Sequence, residues 1–281
     1  MKILSIGAHQ DDNEFRVGGM ACKWIKAGHE VRFLSVCDGC GGHHILTPEE
    51  TTAQRATESF AVAEYLGITY DVWDIHDCEL TADLETRKRL IRYIRDFAPD
   101  LIVSHRTCDY HADHRAAAQL VQDASYLLTV PHTCPESPAM SAMPVIIYNE
   151  DRFKNPPFEA TYVIDIDDVI DEKMHIAHLN KSQVYEWLPY NKGEKLPVTD
   201  EEKHASLWGM EITSETTDEE INAATHGFGV RFAKTAARFR SELIARYGEE
   251  KGSRVRFAEA FELCEYGGQP TPEMEKELFG F

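Results

Sequence analysis

Apolar and polar positions alternate along the first half of the chain in two rhythms. Ile3–Ala8 is a compact apolar run that stops at His9, Asp11 and Asp12, and it reads as a first β-strand. One Lys and six residues of this kind are too short for a signal sequence. Met20, Trp24 and Ile25 then recur at helical spacing, with Gly28 as the stop signal. Val31–Val36 is the second strand, and Asp38–Gly42 is a Gly-rich stretch after it. Arg55–Leu66 has helix chemistry up to Gly67, and Tyr70–Ile75 is strand-like. Glu85–Phe97 places Leu90, Ile91, Ile94 and Phe97 on one face before Pro99, Leu101–Ser104 is the next strand, and Ala116–Leu128 is again helical.

Strand and helix joined by short turns predict an α/β, Rossmann-like fold: a mostly parallel sheet with helices on both faces. Beyond Pro131 the pattern loosens. Pro131, Pro135, Pro138 and Pro144 mark a loop region, and Val145–Tyr148 and Tyr162–Ile166 are further strands. The pattern predicts one long amphipathic helix over Asp168–Leu188, a second over Glu219–Tyr247, and a late strand within Arg254–Cys264. With no repeat, low-complexity tract or linker, residues 1–281 are expected to form a single domain, with 190–281 as a C-terminal elaboration.

Composition narrows the function. Forty-eight acidic residues against twenty-nine Lys and Arg give a net charge of −19. That surplus disfavours nucleic acid and anionic membrane as partners, and mildly disfavours a highly anionic substrate. No apolar run approaches the roughly 20 residues of a membrane span. Seven cysteines spread through a long chain imply no disulfide framework, so a reducing cytoplasm is the expected location.

Two clusters carry candidate chemistry. Ala8-His9-Gln10-Asp11-Asp12-Asn13-Glu14 directly follows the first strand, where ligands gather in a parallel sheet. His9 and Asp12 have metal-ligand chemistry, and Asp11 can face the same cavity; the alternative is that these side chains simply cap the next helix. Asp109-Tyr110-His111-Ala112-Asp113-His114 stands beyond the Leu101–Ser104 strand. One of its histidines with His9 and Asp12 makes a His₂Asp set with one position left for water, as catalytic zinc sites are built. No Gly-x-Ser-x-Gly elbow and no phosphate-binding Gly-x-x-x-x-Gly-Lys loop is present.

These motifs resemble those of the zinc-dependent deacetylases of the PIG-L/LmbE type, whose marks are Ala-His-Pro-Asp-Asp-x-Glu and a later His-Pro-Asp-His. Gly18-Gly19, Asp38-Gly39, Arg55 with Glu58, Pro99-Asp100 and Ser182-Gln183 match as well, so the resemblance spans about the first two-thirds of the chain. It implies a metal, Zn²⁺ with Fe²⁺ as the alternative, on His9, Asp12 and His114. It further implies Asp11 as general base, and His111 as the group that stabilises the oxyanion or protonates the leaving amine. Asp113 would orient His111, and Arg55 would bind substrate or pair with Asp11 or Glu14. The implied reaction is hydrolytic deacetylation of a small N-acetylated amino sugar of the N-acetylglucosamine type, or of its conjugate. Both motif prolines are replaced, by Gln10 and Ala112, which should loosen the turns, and Asn180 stands where the family has a His. A non-catalytic carbohydrate- or metabolite-binding protein on the same fold is the rival reading. Assembly into a homo-oligomer is compatible with either.

Weaker candidates are Cys37 and Cys40 as a thiol pair, His43 and His44 in a loop near the pocket, Asp77, and His226.

Overall fold

The computed structural model describes residues 1–281. Seven strands form one sheet: β1 (Lys2–Gly7), β2 (Glu30–Cys37), β3 (Thr69–Ile75), β4 (Leu101–Ser104), β5 (Val145–Asn149), β6 (Tyr162–Asp165) and β7 (Ala258–Leu263). Their order is β3-β2-β1-β4-β5-β7-β6. The pairs among β1 to β5 are parallel, and β7 runs antiparallel to both neighbours, β5 and β6. Four helices belong to the parallel half: α1 (Asp12–Lys26), α2 (Pro48–Leu66), α3 (Leu84–Phe97) and α4 (Ala112–Leu127). The rest are α5 (Ile170–Leu179), α6 (Leu188–Asn191), α7 (Asp200–Trp208), α8 (Asp218–Ala223), α9 (Phe228–Arg238), α10 (Arg240–Tyr247), α11 (Glu249–Gly252) and α12 (Pro272–Phe279). None of them is long and apolar enough to cross a membrane.

The expected doubly covered sheet is present, and the strand sequences explain it. Ile3, Val31, Phe33, Leu101 and Val103 point to one side and pack with Met20 and Trp24 of α1. Leu4, Ile6, Leu34, Val36 and Ile102 point to the other and pack with Leu90, Ile91 and Ile94 of α3 and Leu120 of α4. A strand covered on both faces has no polar side, so these strands read as continuous apolar runs.

The second half departs from expectation in three places. Asp168–Leu188 is not one helix: α5 ends at Leu179, and Ser182–Trp187 is a π-helical turn. Asn180 turns its side chain back to the Ile176 carbonyl at 3.1 Å, and the Ser182 N–H leaves the helical ladder to donate to Glu58 at 2.8 Å. Glu219–Tyr247 is broken into α8, α9 and α10, the first break falling at Gly227. There φ is +97°, and a Cβ would come within 2.4 Å of the Gly209 nitrogen. Finally, β7 is an inner strand, not an appendage, so part of the 190–281 segment completes the sheet.

Glu259 of β7 ties this late strand to α1. It lies 4% exposed, pairs with Lys173 of α5, and accepts the Gly19 and Met20 N–H groups at 2.8 Å each. Lys173 also donates to the Phe15 carbonyl at 3.1 Å. The Gly18-Gly19 pair thus has a packing reason, since a Cβ on Gly18 would meet Ile176 at 2.6 Å and one on Gly19 would meet Ile166 at 2.9 Å and Glu259 at 3.0 Å. Glu259→Ala strands a buried ammonium and two helical N–H groups. It is expected to cost about 3–5 kcal/mol, read in a thermal melt as a fall of about 10 °C or more.

Candidate active site

In the strand order β2-β1-β4-β5 the chain leaves β1 toward one side of the sheet and β4 toward the other, opening a crevice at their carboxyl ends. Residues 8–12 enter it from β1, and residues 105–114 from β4. Two segments about a hundred positions apart are therefore neighbours because their strands pair.

His9, Asp12 and His114 are all buried there. Asp12 opens α1 and sets its two oxygens toward the two rings: Oδ1 is 3.4 Å from His114 Nε2, and Oδ2 is 3.7 Å from His9 Nδ1. Each ring has a carboxylate near its other nitrogen. His9 Nε2 lies 3.0 Å from Asp113 Oδ2, and His114 Nδ1 lies 3.1 Å from Asp109 Oδ1. Metal-binding histidines are oriented in this way by outer carboxylates. Ligand atoms of His9, His111 and His114 lie within 4.8 Å of one another, as do those of Asp12, His105 and His114. Two imidazoles and a carboxylate, braced by further carboxylates, suit Zn²⁺ or Fe²⁺.

Charge at the site also favours a cation. Burial by itself would lower His9, but its hydrogen bonds to Asp113 and Asp12, with the charges of Asp12 and Asp77, raise it to about 10. Asp12 is held below its ordinary value in spite of burial, because His114 and His105 face it.

Asp11 sits beside this cluster at the N-cap position of α1 with φ +99°, a backbone region costly for a residue with a side chain. Burial raises its carboxyl to about 6; Arg55, whose Nη2 is 3.5 Å from Oδ2, works against the rise, and Asp12 adds to it. Arg55 also donates to the Gln10 carbonyl, so one guanidinium fixes both the turn and the carboxylate. Gln10 does not loosen the turn: its buried side chain donates to the Asp38 carbonyl at 3.0 Å.

His111 is half-buried at the rim. Its Nδ1 accepts the Asp113 N–H at 3.2 Å, which leaves the proton of a neutral ring on Nε2. Burial lowers its pKa, and His9 and His114 lower it further. The contact expected between Asp113 and His111 goes elsewhere. Asp113 Oδ2 binds His9 and accepts the Cys78 N–H at 2.7 Å, while His111 Nδ1 is 3.8 Å away.

The model of the PIG-L family, described as GlcNAc-PI de-N-acetylase, matches residues 4–125. Residues 4–125 form a PIG-L family domain. The chain is 25% identical over 197 residues to 4-oxalmesaconate hydratase of Pseudomonas putida, covering 67% of this chain and 76% of that protein. Among solved structures, 4-carboxy-2-hydroxymuconate hydratase of Pseudomonas putida superposes with a TM-score of 0.69 at 19% identity, over 96% of this chain and 98% of that one. N,N'-diacetylchitobiose deacetylase from Pyrococcus horikoshii gives a TM-score of 0.64 at 22% identity, over 97% and 88% of the two chains. At such identities these structures share the fold.

Residues outside the PIG-L domain brace it. Ser182 donates to Glu58 through its N–H at 2.8 Å and its hydroxyl at 2.7 Å, and Gln183 donates to the Gly42 carbonyl at 2.9 Å. Asn180 faces Glu14 at 3.4 Å. Burial pushes Glu14 up to about 7, and the nearby charge of Asp11 adds to that. Asp77 accepts the Gly39 and Gly41 N–H groups and comes 3.9 Å from His9. Among the weaker candidates, burial raises both thiols: Cys37, which is buried and free, and Cys40, which reaches about 11. His43 pairs with Glu186, His44 stacks on Tyr190, and His226 faces Glu194.

Sequence reading missed His105, and it placed Asp109 in the second cluster without giving it a role. His105 is buried, stacks on His114 at 4.2 Å between centroids, and reaches Asp12 Oδ2 at 3.2 Å. Its Nε2 can either accept the Ala8 N–H or donate to Asp12, because one tautomer cannot do both. The available signal was its position, directly after a strand next to β1.

Proposed function

We propose that this chain is a metal-dependent amidohydrolase that removes the acetyl group from an N-acetylated amino sugar of the N-acetylglucosamine type, or from its conjugate, in the cytoplasm. His9, Asp12 and His114 would hold the metal, zinc with iron(II) as the alternative. A divalent ion there supplies Lewis-acid polarisation of the acyl oxygen and brings the pKa of water toward neutrality. The observation that carries the reading is Asp11: a second carboxylate, raised to about 6, held beside the ligand set in a strained turn. A ligand-binding protein has no use for it, whereas a hydrolase needs a base.

Asp11 accepts the proton of the attacking water, and Arg55 keeps the carboxylate aimed. His111, neutral with its proton on Nε2, donates a hydrogen bond to the developing oxyanion. Asp113 holds the ring of His9, and Asp109 lies 3.1 Å from Nδ1 of His114.

Two observations favour a second reaction for the same water: relatives named hydratases, one of them 25% identical, and an arginine-lined cavity near the site. The test is turnover by the zinc-loaded protein of N-acetylglucosamine, its glycosides and its acidic conjugates. One acetate per free amine is expected, abolished by a chelator and restored by zinc. No acetate from the whole panel, with water added instead across the double bond of unsaturated carboxylic acids, would replace deacetylation with hydration.

A further inference from the structure

Two adjoining cavities, of about 610 and 290 Å³, share Arg152 and Arg231 in their walls. The smaller also takes in Arg16 and Phe153. Arg16 follows Asp12 by one turn on α1, so the two share a helix face. On the other side Tyr110 makes the bridge, its ring 5.7 Å from those of His111 and His114 and 6.4 Å from Phe153. The chamber thus adjoins the His/Asp cluster.

Its charge is opposite to that of the molecule. Lys192 and Lys234 join the arginines in the larger cavity, in a chain whose net charge is −19. The carboxylates of the smaller cavity are already engaged, and of the two in the larger, Glu202 holds Lys195 while Glu194 faces His226. Glu150 holds Arg238 at 3.0 Å and the Thr235 hydroxyl at 2.5 Å. Asp151 takes Arg106 through both oxygens, at 2.6 and 2.7 Å, and Glu259 holds Lys173. Arg16, Arg152 and Arg231 form no ion pair; the one hydrogen bond of Arg16 goes to the Glu150 carbonyl at 2.7 Å. Burial lowers Arg231 to about 10; the charges of Arg16 and Arg152 push the same way, and those of Glu150 and Asp11 oppose them. Folding brings three like charges together, Arg16 and Arg231 half-buried and Arg152 exposed, and pairs none of them with a carboxylate, so a bound anion would relieve their mutual repulsion.

We propose that this chamber is a carboxylate subsite, in which Arg16, Arg152 and Arg231 hold a substrate that carries at least two carboxylates beyond its reacting bond. The proposal rests on the reading that His9, Asp12 and His114 mark the reaction centre. Three guanidiniums match two carboxylates by forked, paired hydrogen bonds, and a neutral sugar would leave them unsatisfied. Arg152 and Arg231 lie outside residues 4–125, on the β5–β6 connection and on α9. An acidic conjugate of an amino sugar and an unsaturated polycarboxylic acid both meet the requirement.

The probe is tricarballylate, titrated calorimetrically into the zinc-loaded full-length protein, with metal content measured on every sample. Wild type is expected to bind it with a steep dependence on salt. Arg231→Gln should weaken binding about 10-fold or more and Arg152→Gln/Arg231→Gln about 100-fold, while Arg231→Lys keeps most of it. Both Gln variants should melt at or above the wild-type temperature, since they relieve repulsion; a purely structural arginine would lower it. The proposal is overturned if the Gln variants bind as wild type, which would place the probe on the metal or elsewhere. It is equally overturned if zinc-loaded wild type does not bind. Intact metal content and acetate release in that case would leave the hydrolase reading standing without the subsite.

Discussion

Asp11→Asn is expected to lower kcat by about 10²–10⁴-fold, the usual worth of a positioned base, with metal content and melting temperature unchanged. The amide has the same shape, tolerates the left-handed backbone that Asp11 adopts, and cannot take a proton. Arg55 keeps its bond to the Gln10 carbonyl, so the turn holds. Steady-state kinetics and elemental analysis on one preparation check this. An unchanged kcat would remove Asp11 as the base and leave it as a helix cap, the alternative that its sequence position left open.

The second large effect is on the metal. His114→Ala is expected to lower metal affinity by at least about 10²-fold, since loss of an outer partner alone costs 10–100-fold, and to abolish turnover with it. His114 belongs both to the group with His9 and His111 and to the group with Asp12 and His105, so each loses a ligand without it. Mass spectrometry of protein purified without chelator or histidine tag gives the answer. A variant that retains one metal per chain would shift the site to other residues. A wild type that takes up no metal even from added zinc would favour the binding-protein reading.

The parallel half of the fold was legible because its strands are buried on both faces and its helices end at glycine or proline. The pairing of residues 8–12 with 105–114 was legible too, since both follow apolar runs that can only be strands. What local pattern could not carry was anything decided by distant partners. Nothing in Arg254–Cys264 says that it will lie between β5 and β6, because strand direction and order depend on where the chain has been left by α8 to α11. The break after Leu179 is imposed by Glu58, which draws Ser182 out of the helical ladder from another element. His105 has no ligand-spaced partner in its own segment, and becomes visible only when its ring is found on that of His114. The three arginines come from positions 16, 152 and 231, so no window of sequence contains two of them. The engagement of Asp113 with His9 rather than with its near neighbour His111 is likewise a product of folding.

The placement of β7 also sets the order of events during synthesis. β5 ends at Asn149, and the strand that must pair with it is not complete until Leu263. At about 5–20 residues per second, the ribosome leaves that edge open for on the order of ten seconds. Throughout this interval the nascent chain already holds both His/Asp turns, yet presents an apolar strand edge of the kind that recruits other chains. Lys173 waits for Glu259 over the same stretch. Chaperone demand should therefore concentrate late in translation, and a message truncated before codon 258 should yield aggregate rather than a smaller working enzyme.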